Sequence, residues 1–194
     1  GYVSINSATE LKDPTKWQPL MVPNGTATPT IQKFLAPHWG KVKPFALSSG
    51  AQFRPVWIAP AADSARYAED VEELISYSGM LTDQQKMIAE YWADGPNSVT
   101  PPGHWSVITQ FVSRRNSYTL DQNVQLFFAV TNAVFDAGIA AWDAKRAYES
   151  VRPVTAIRFL KNGKTISAWG GPLNGTQSIT GENWQPYQSS TFVT

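Results

Sequence analysis

Lys145 and Arg152 are two residues whose types and spacing could do chemistry. They stand seven residues apart in "KRAYESVRP", so they project from nearly the same face if one helix carries both. Arginine offers a planar fork of N–H donors and lysine a compact charge, a combination that suits the oxygens of a phosphate-like anion. The spacing also fits a solvated helix end, in which Glu149 pairs with Lys145 and the cations favour the helix dipole. Spacing alone leaves both interpretations open.

Periodic segments with start signals predict the helices that would position these cations. Asp63 and Ser64 cap a first pattern, and Thr82 with Gln85 predicts a capping box for a second helix. The prolines of "PPGHW" suit the first turn of a third helix. The predicted core positions of the first helix are Tyr67, Val71, Leu74, Ile75 and Tyr77.

The fourth predicted helix begins near Thr119 and is the longest. It is apolar on most sides, which is typical of a helix at the centre of a bundle. Pro153 is expected to end or break it near Arg152. The side chains that require burial are Leu126, Phe127, Val130, Val134, Ile139 and Trp142.

Composition excludes several classes of function. The net charge of +1 and the lack of a basic stripe disfavour nucleic-acid binding. The absence of cysteine excludes disulfides, thiolate catalysis and cysteine-based zinc sites. No uninterrupted apolar run approaches the ~20 residues of a membrane span, so none is expected.

We predict an all-α fold, a helical bundle with long irregular loops at both ends that is incomplete without a C-terminal segment. Residues 1–61 are rich in Pro, Gly, Ser and Thr and are expected to form an irregular wrapping arm. Residues 62–160 are predicted to form the helical-bundle portion with the cation motif, and residues 161–194 a loop leading to a missing half. At 194 residues the chain is long enough to bury roughly 70% of its unfolded surface.

Lys145-x6-Arg152-Pro153 resembles the first signature of the vanadium-dependent haloperoxidase and type-2 phosphatidic acid phosphatase superfamily. The surrounding "LFFAVTNAVFDAGIAAWDAKRAYESVRPVTAIR" is similar to the haloperoxidase branch along its whole length. So are "AEYWADGPNSVTPPGHW" and "PHWGKVKPFAL" further upstream. The resemblance covers most of the chain and corresponds to the N-terminal part of such a protein.

The resemblance implies a role for each candidate site residue. Lys145 and Arg152 would bind oxygens of vanadate, the implied cofactor, and phosphate could occupy the same site. Trp142 would form a wall of that pocket, although core packing explains it equally well. Asp94 of "WADG" would support another oxyanion-binding arginine, or would be only a turn residue at a helix end. Pro153 would fix the turn from which Arg152 projects.

Two further motifs of the family, Pro-Ser-Gly-His and Ser-Arg-x5-His-x3-Asp, should follow the cation motif. Residues 154–194 contain no histidine, and neither motif is present. "PPGH" lacks the serine and lies upstream of Lys145, so His104 is expected to be structural, and His38 is expected to be a packed or capped loop residue. We therefore expect a C-terminal segment or a second chain to supply these motifs, including the axial histidine ligand of vanadate.

Three functions follow as hypotheses. The first is part of a haloperoxidase that oxidises halide with hydrogen peroxide at vanadate, the metal serving as a Lewis acid. The second is hydrolysis of phosphomonoesters by a phosphatase of the same superfamily. The third is a non-catalytic structural or binding relative. The chain alone is not expected to be active, and its small-molecule partners are peroxide, halide or a phosphomonoester. Because the chain starts at Gly1 rather than Met, an N-terminal segment is expected to have been removed. A secreted or periplasmic location is predicted.

Overall fold

The computed structural model describes residues 1–22, 28–56, 60–95 and 98–190. Helices dominate the described chain, and only two small antiparallel pairs of strands accompany them, which confirms the predicted all-α class. The helices are α1 (Ala65–Gly79), α2 (Asp83–Tyr91), α3 (Thr100–Arg115), α4 (Leu120–Tyr148) and α5 (Pro153–Leu160). The strands are β1 (Met21–Val22), β2 (Thr30–Ile31), β3 (Thr165–Trp169) and β4 (Thr176–Thr180).

The helices start where local hydrogen bonding predicts. Ser64 accepts a hydrogen bond from the Tyr67 amide at the start of α1. Thr82 and Gln85 form the expected capping box of α2, and each satisfies an amide that the first turn leaves unpaired. Thr119 and Gln122 exchange the same pair of bonds before α4. These starts are confirmed because each depends on residues within one turn.

Helix α4 ends at Tyr148, earlier than the sequence predicts. Glu149 has a φ of 48°, in the left-handed region that ends helices. The next residue, Ser150, pairs as an isolated antiparallel bridge with Lys16 of the N-terminal arm. One helix therefore does not carry both cations, and the idea that they share a helical face is wrong.

The C-terminal stretch, which the sequence predicts to be a loop, contains a β-hairpin. Strand β3 pairs with β4 from Thr165↔Thr180 to Trp169↔Thr176. The glycines at 171 and 175 have φ values of 101° and 59°, which a turn between strands requires. Ile166 and Ala168 are buried while their neighbours are more exposed, the alternation of a strand packed on one face. The loop prediction missed this alternation between turn residues.

The described chain divides into two compact units. Unit 1 comprises Gly1–Phe34, Trp57–Ala93 and Glu149–Thr194, and unit 2 comprises Leu35–Val56 and Asp94–Tyr148. Each unit combines stretches that are distant in sequence, so the two units do not coincide with the three predicted segments. The boundaries of those segments stay a prediction.

Unit 1 has a hydrophobic core in which α1, α5 and the hairpin meet. Of the predicted core of α1, Tyr67, Val71 and Ile75 are buried and Leu74 packs at the edge, whereas Tyr77 is exposed. The helical period explains the exception, because Tyr77 lies two residues beyond Ile75 and so turns away from the buried stripe. The buried core residues are Tyr67, Val71, Ile75, Val154, Ala156, Ile157, Ile166, Ala168 and Trp184.

Unit 2 is built on α4, to which α3 and the segment 35–56 attach. Within α4 only Asp136 and Ile139 are buried among the described residues. The other side chains predicted to be central are half-buried, so the expectation of a fully buried helix is not met in this chain. Contrary to the sequence-based expectation, α4 also has the length and composition of a membrane span, with 11% of its most apolar window buried. Many residues of this apolar helix are exposed within the described part of the chain.

Candidate functional site

The last turns of α4 bring two predicted site residues together. Lys145 follows Trp142 by three residues, so their side chains are neighbours on the helix surface. The Lys145 Nζ lies 4.1 Å from the centroid of the Trp142 ring. An ammonium over an indole face is attracted by the ring quadrupole, which directs the flexible lysine side chain along the helix. Trp142 therefore positions the charge of Lys145.

Trp142 is itself held from its other end. Its indole Nε1 donates a hydrogen bond of 2.8 Å to the carbonyl of Leu35, at the start of the segment 35–56. The side chain is half-buried, with one edge bonded to this segment and its face under the ammonium. A packed indole ordinarily finds a partner for its N–H, so this bond fits both a pocket wall and core packing, and the role of Trp142 stays a prediction.

Asp143 anchors the same segment beside the candidate cation. Its carboxylate receives two bonds from Arg54, with Nε–Oδ2 at 2.7 Å and Nη2–Oδ1 at 2.9 Å. A two-pronged bond of this kind fixes orientation as well as distance. A Cβ added at Gly40 would lie 2.5 Å from the Asp143 Cα, so glycine allows the loop to touch the helix backbone. Tyr148 adds a further bond, from its hydroxyl to the Pro55 carbonyl.

Asp136 is a buried acid in the middle of α4. Its Oδ1 accepts the amide of Phe45 at 2.6 Å, and its Oδ2 accepts those of Ala46 at 2.7 Å and Leu47 at 3.0 Å. Desolvation by burial acts to raise the pKa of this carboxyl, but the three amide donors outweigh it and hold the pKa below its ordinary value. Asp136 therefore stays ionised and binds three successive amides of the loop.

Sequence reasoning missed Asp136, Asp143 and Arg54. A signal for the two acids was present, because they stand seven residues apart in an otherwise apolar helix and so share one face. An acid on an apolar face requires a donor, and the loop supplies amides and a guanidinium. No local pattern marks Arg54 as that donor.

Asp94 is bonded to the histidine of "PPGH". The His104 Nδ1 lies 2.9 Å and 3.0 Å from the two carboxylate oxygens of Asp94, and both side chains are largely buried. This pair ties the start of α3 to the residues before it. His104 is thus engaged in unit 2, as its expected structural role requires, and the role of Asp94 toward an arginine stays a prediction.

Arg152 and Pro153 lie at the start of α5 in unit 1. Arg152 is the extended N-cap residue, and Pro153 occupies the first turn, where its missing N–H costs nothing. The arm approaches just before it, since Val151 donates to the Thr15 carbonyl at 3.0 Å and Trp17 donates to the Glu149 carbonyl at 2.7 Å. The position of Arg152 therefore depends on the arm, the bridge and the proline.

The Arg152 side chain reaches the surface, yet the surrounding protein partly desolvates it. This desolvation lowers the pKa of the guanidinium from its ordinary value. Within the described part of the chain, no carboxylate lies within ion-pair distance of Arg152. A partly desolvated arginine without an acidic partner is suited to an external anion.

The predicted site residues are thus distributed over both units. Trp142 and Lys145 are in contact in unit 2, which also holds Asp94 with His104, while Arg152 and Pro153 adjoin in unit 1. Across the described ranges, no three His, Asp or Glu side chains cluster as metal ligands would.

Comparison with solved structures bears on the predicted resemblance. The chain is similar to a holo-type bacterial vanadium-dependent chloroperoxidase, with 28% identity over 95% of this chain and a TM-score of 0.83. The resemblance to the vanadium haloperoxidases is confirmed. The apo-type form of the chloroperoxidase matches with a TM-score of 0.82, again with 28% identity over 95% of this chain and 42% of the other.

Two further comparisons agree with this relationship. A structure described as the first bacterial vanadium-dependent iodoperoxidase shares 30% identity over 78% of this chain and 38% of its own, with a TM-score of 0.57. The family model for the VCPO second helical-bundle domain matches residues 125–193, which include Trp142, Lys145, Arg152 and Pro153. No curated protein sequence matches the chain.

This haloperoxidase-like chain spans 42% of the length of the chloroperoxidase chain that it matches. The chemistry of its candidate residues fits the oxygens of vanadate, since the ammonium of Lys145 and the guanidinium of Arg152 are donors to oxyanions. The chain offers little for a histidine that would bond the vanadium directly. It has two histidines, and one of them, His104, is bonded to Asp94. The residues present thus fit the anionic periphery of the cofactor.

Proposed function

We propose that this chain contributes the cationic side of the vanadate site in a vanadium-dependent haloperoxidase-like enzyme, which oxidises halide with hydrogen peroxide. The observation that carries the proposal is the similarity to the chloroperoxidase over 95% of the chain at 28% identity. The family-matched stretch includes the Lys145-x6-Arg152-Pro153 motif. The activity belongs to the complete protein, of which these residues supply one part.

Each cation has a distinct task in this proposal. Lys145, directed by the Trp142 ring, presents a compact charge with three donors to one part of the oxyanion. Arg152, held at the start of α5, presents a planar fork that matches two oxygens. When bound, vanadate supplies a Lewis-acid centre at which hydrogen peroxide can oxidise a halide. The two side chains bind and orient the anion, and their charges offset its own.

A second part of the protein completes the site in this proposal. It supplies the Ser-Gly-His and Arg/His motifs, either as a C-terminal segment or as a separate chain. Support comes from the chain itself, since His104 is engaged with Asp94 and the stretch after Arg152 contains no histidine. A secreted or periplasmic location remains a prediction.

The test is made on the complete protein, with halogenation of monochlorodimedone measured with and without vanadate and peroxide. We expect Lys145→Ala and Arg152→Ala each to lower the turnover about 100-fold or more, the usual cost of removing a donor to a developing anion. Inorganic vanadate should also bind more weakly, by roughly tenfold or more on the same grounds, as measured by titration calorimetry. Lys164→Ala, a change at an exposed lysine outside the motif, should leave both readouts unchanged.

Other outcomes would redirect the assignment. If the complete wild-type protein hydrolyses p-nitrophenyl phosphate and shows no vanadate-dependent halogenation, the phosphatase alternative replaces this proposal. Absence of both activities and of vanadate binding would leave a non-catalytic relative.

A further inference from the structure

Asn6 is a buried asparagine in the N-terminal arm, and its side chain closes residues 6–17 into a loop, here called the Asn6 loop. The residue is fully buried, at 0% exposure, and its amide group makes five hydrogen bonds to the backbone of this loop. An amide N–H can only donate and a carbonyl can only accept, so the partners fix which way the side chain points. Nδ2 donates to the carbonyls of Asp13 at 2.8 Å, Lys16 at 3.0 Å and Trp17 at 3.3 Å, and Oδ1 accepts the amides of Lys12 and Asp13, both at 2.8 Å.

The Asn6 loop is also attached to the rest of unit 1. Trp17 is buried, and its ring packs against Phe34 with 5.3 Å between the centroids. Tyr67, a core residue of α1, donates a hydrogen bond of 2.7 Å from its hydroxyl to the Pro14 carbonyl. The end of the loop therefore has a defined place beside α1.

Each of the three residues before Arg152 is bonded to the Asn6 loop. The contacts are an amide-to-carbonyl bond of 2.7 Å from Trp17 to Glu149, the bridge between Lys16 and Ser150, and an amide-to-carbonyl bond of 3.0 Å from Val151 to Thr15. Two of these loop residues are the ones whose carbonyls Asn6 binds at 3.0 and 3.3 Å. One buried side chain thus holds the segment that binds the backbone leading to Arg152.

Glu149 has a backbone conformation that needs such support. Its φ of 48° lies in the left-handed region, where a residue with a Cβ is sterically disfavoured. Residues in such conformations persist where the surrounding structure holds them, and they are frequent at functional sites. The bond from the Trp17 amide to the Glu149 carbonyl supplies this hold three residues before Arg152.

The guanidinium of Arg152 depends on its backbone for its position. Within the described part of the chain no carboxylate lies within ion-pair distance of it, and burial alone accounts for its lowered pKa. On its C-terminal side, α5 is fixed by the buried Val154 and Ile157. On its N-terminal side, the Asn6 loop provides the attachment.

We propose that Asn6 is a positioning residue for the oxyanion site, which acts through its loop on the backbone that carries Arg152. This inference rests on the proposed function, because that function assigns the anion to Arg152. A loop that only stabilised the fold would make a different prediction, since its loss would weaken anion binding whether or not Arg152 is present.

The experiment is a double-mutant cycle on the complete protein, with the histidine-bearing part present. Inorganic vanadate is titrated by calorimetry into the wild type, Asn6→Ala, Arg152→Ala and the double variant. We expect Asn6→Ala to weaken vanadate binding about three- to tenfold, because a displaced guanidinium loses part of its bonding to the oxyanion. In the Arg152→Ala background the same change should weaken binding by less than about twofold, because two changes that act by one route are not additive.

Asn162→Ala is the matched control, at an exposed asparagine of unit 1 in the turn after α5, and it should leave vanadate binding unchanged. An unchanged vanadate affinity in Asn6→Ala overturns the proposal. An equal loss of affinity in both backgrounds also overturns it, since a general loosening of the fold gives that result.

Amide exchange provides a readout that needs no anion. In Asn6→Ala the Val151 amide should exchange roughly tenfold faster or more, because the loop that carries its acceptor is no longer closed. Exchange in β3 and β4 should stay the same, and unchanged exchange at Val151 overturns the proposal. If Asn6→Ala does not fold, as judged by circular dichroism, Asp13→Ala replaces it in the cycle. Asp13 Oδ1 accepts the amide and the hydroxyl of Thr15 at 2.8 and 2.6 Å, so its loss loosens the same contact with Val151.

The behaviour of the wild-type protein separates this inference from the proposed function. Vanadate-dependent halogenation, with equal vanadate affinity in the wild type and Asn6→Ala, overturns the positioning role alone. If the wild type binds inorganic phosphate but neither binds vanadate nor halogenates, a non-additive cycle with phosphate supports the positioning role and overturns the haloperoxidase assignment. Binding of neither anion overturns both.

Discussion

At the level of single residues, Asp136 is a polar anchor of unit 2. Its two carboxylate oxygens bind three consecutive amides of the segment 35–56, from Phe45 to Leu47. Bonds of this kind to an ionised acceptor are stronger than those between neutral groups. Asparagine cannot replace it, because its NH2 group would face an amide N–H where the carboxylate offers an oxygen.

Asp136→Asn should therefore destabilise the protein in a pH-dependent manner. The folded state lowers the pKa of this carboxyl, so its stabilisation is fully present above the ordinary pKa of 3.8 and is lost as the pH falls through the lower folded pKa. We expect a lower urea midpoint for the variant at pH 7 and a difference from wild type that shrinks below pH 3.8. Glu73→Gln, at an exposed acid in the middle of α1, should leave the midpoint unchanged, and a constant difference at every pH would contradict the assignment.

Lys145 and Arg152 illustrate two ways of preparing a cation for an anion. Lys145 is directed by a ring three residues away on its own helix, whereas Arg152 is the N-cap residue of α5 and directly precedes its proline. Among the described residues no carboxylate lies within ion-pair distance of Arg152, so its guanidinium suits the oxyanion that the proposed function requires.

At the level of elements, the segment 35–56 lies along α4 and is bound at several points. The Leu35 carbonyl accepts a hydrogen bond from the indole of Trp142. The amides of Phe45 and its neighbours donate to Asp136, and the Arg54 guanidinium donates to Asp143. Aromatic pairs add edge contacts, Trp39 with Phe135 at 6.2 Å and Phe45 with Phe128 at 5.3 Å between centroids. The segment therefore holds the end of α4 that carries Lys145.

A pair of glycine substitutions tests this close contact. Gly40→Ala would place a Cβ within 3 Å of the Asp143 backbone, and the loop would have to move. We expect a loss of about 1–3 kcal/mol in the free energy of unfolding, the usual cost of overpacking. Gly138 lies within α4, and a Cβ added there would meet only the Trp39 Nε1, at an ordinary contact distance of 3.7 Å. Gly138→Ala should therefore raise the free energy of unfolding by roughly 0.5–1 kcal/mol, because alanine has less backbone entropy to lose on folding.

Urea unfolding monitored by circular dichroism measures both changes. Amide exchange should also be faster at residues 45–47 in Gly40→Ala, where the bonds to Asp136 would loosen. Equal stability of the two variants would show that the segment does not press on α4.

At the level of the whole molecule, each unit has its own source of stability. Unit 1 has a continuous apolar core from α1, α5 and the hairpin, in which Ile157 is fully buried. Unit 2 depends more on polar anchors to α4, with Ile139 as its buried apolar residue among those described in that helix. The two units should therefore respond to different kinds of substitution.

Ile157→Ala should lower the free energy of unfolding by about 2–5 kcal/mol, since it removes buried methyl groups and leaves a cavity. Amide exchange in α1 and β3 should increase, because both pack against this core. Ile88→Ala is the matched control at a side chain that is 49% exposed, and it should change stability by less than about 0.5 kcal/mol. A similar loss in both variants would contradict the position of the unit 1 core.

The sequence by itself determined the features that depend on neighbouring residues. The caps at Ser64 and Thr82, the α-helical class and the Lys145-x6-Arg152-Pro153 motif can all be identified within a few turns of chain. Such features follow from short-range hydrogen bonds and side-chain periodicity, which the local sequence contains.

Only the tertiary structure decided where α4 ends and what its acids bind. The helix stops at Tyr148, just before Ser150 pairs with Lys16 of the arm, and Asp136 binds Phe45 across 91 residues of sequence. A single sequence does not indicate which donor will meet which acceptor over such a distance, because the two come together only when the chain folds. The bond of Trp142 to the Leu35 carbonyl, 107 residues away in sequence, could not be predicted for the same reason.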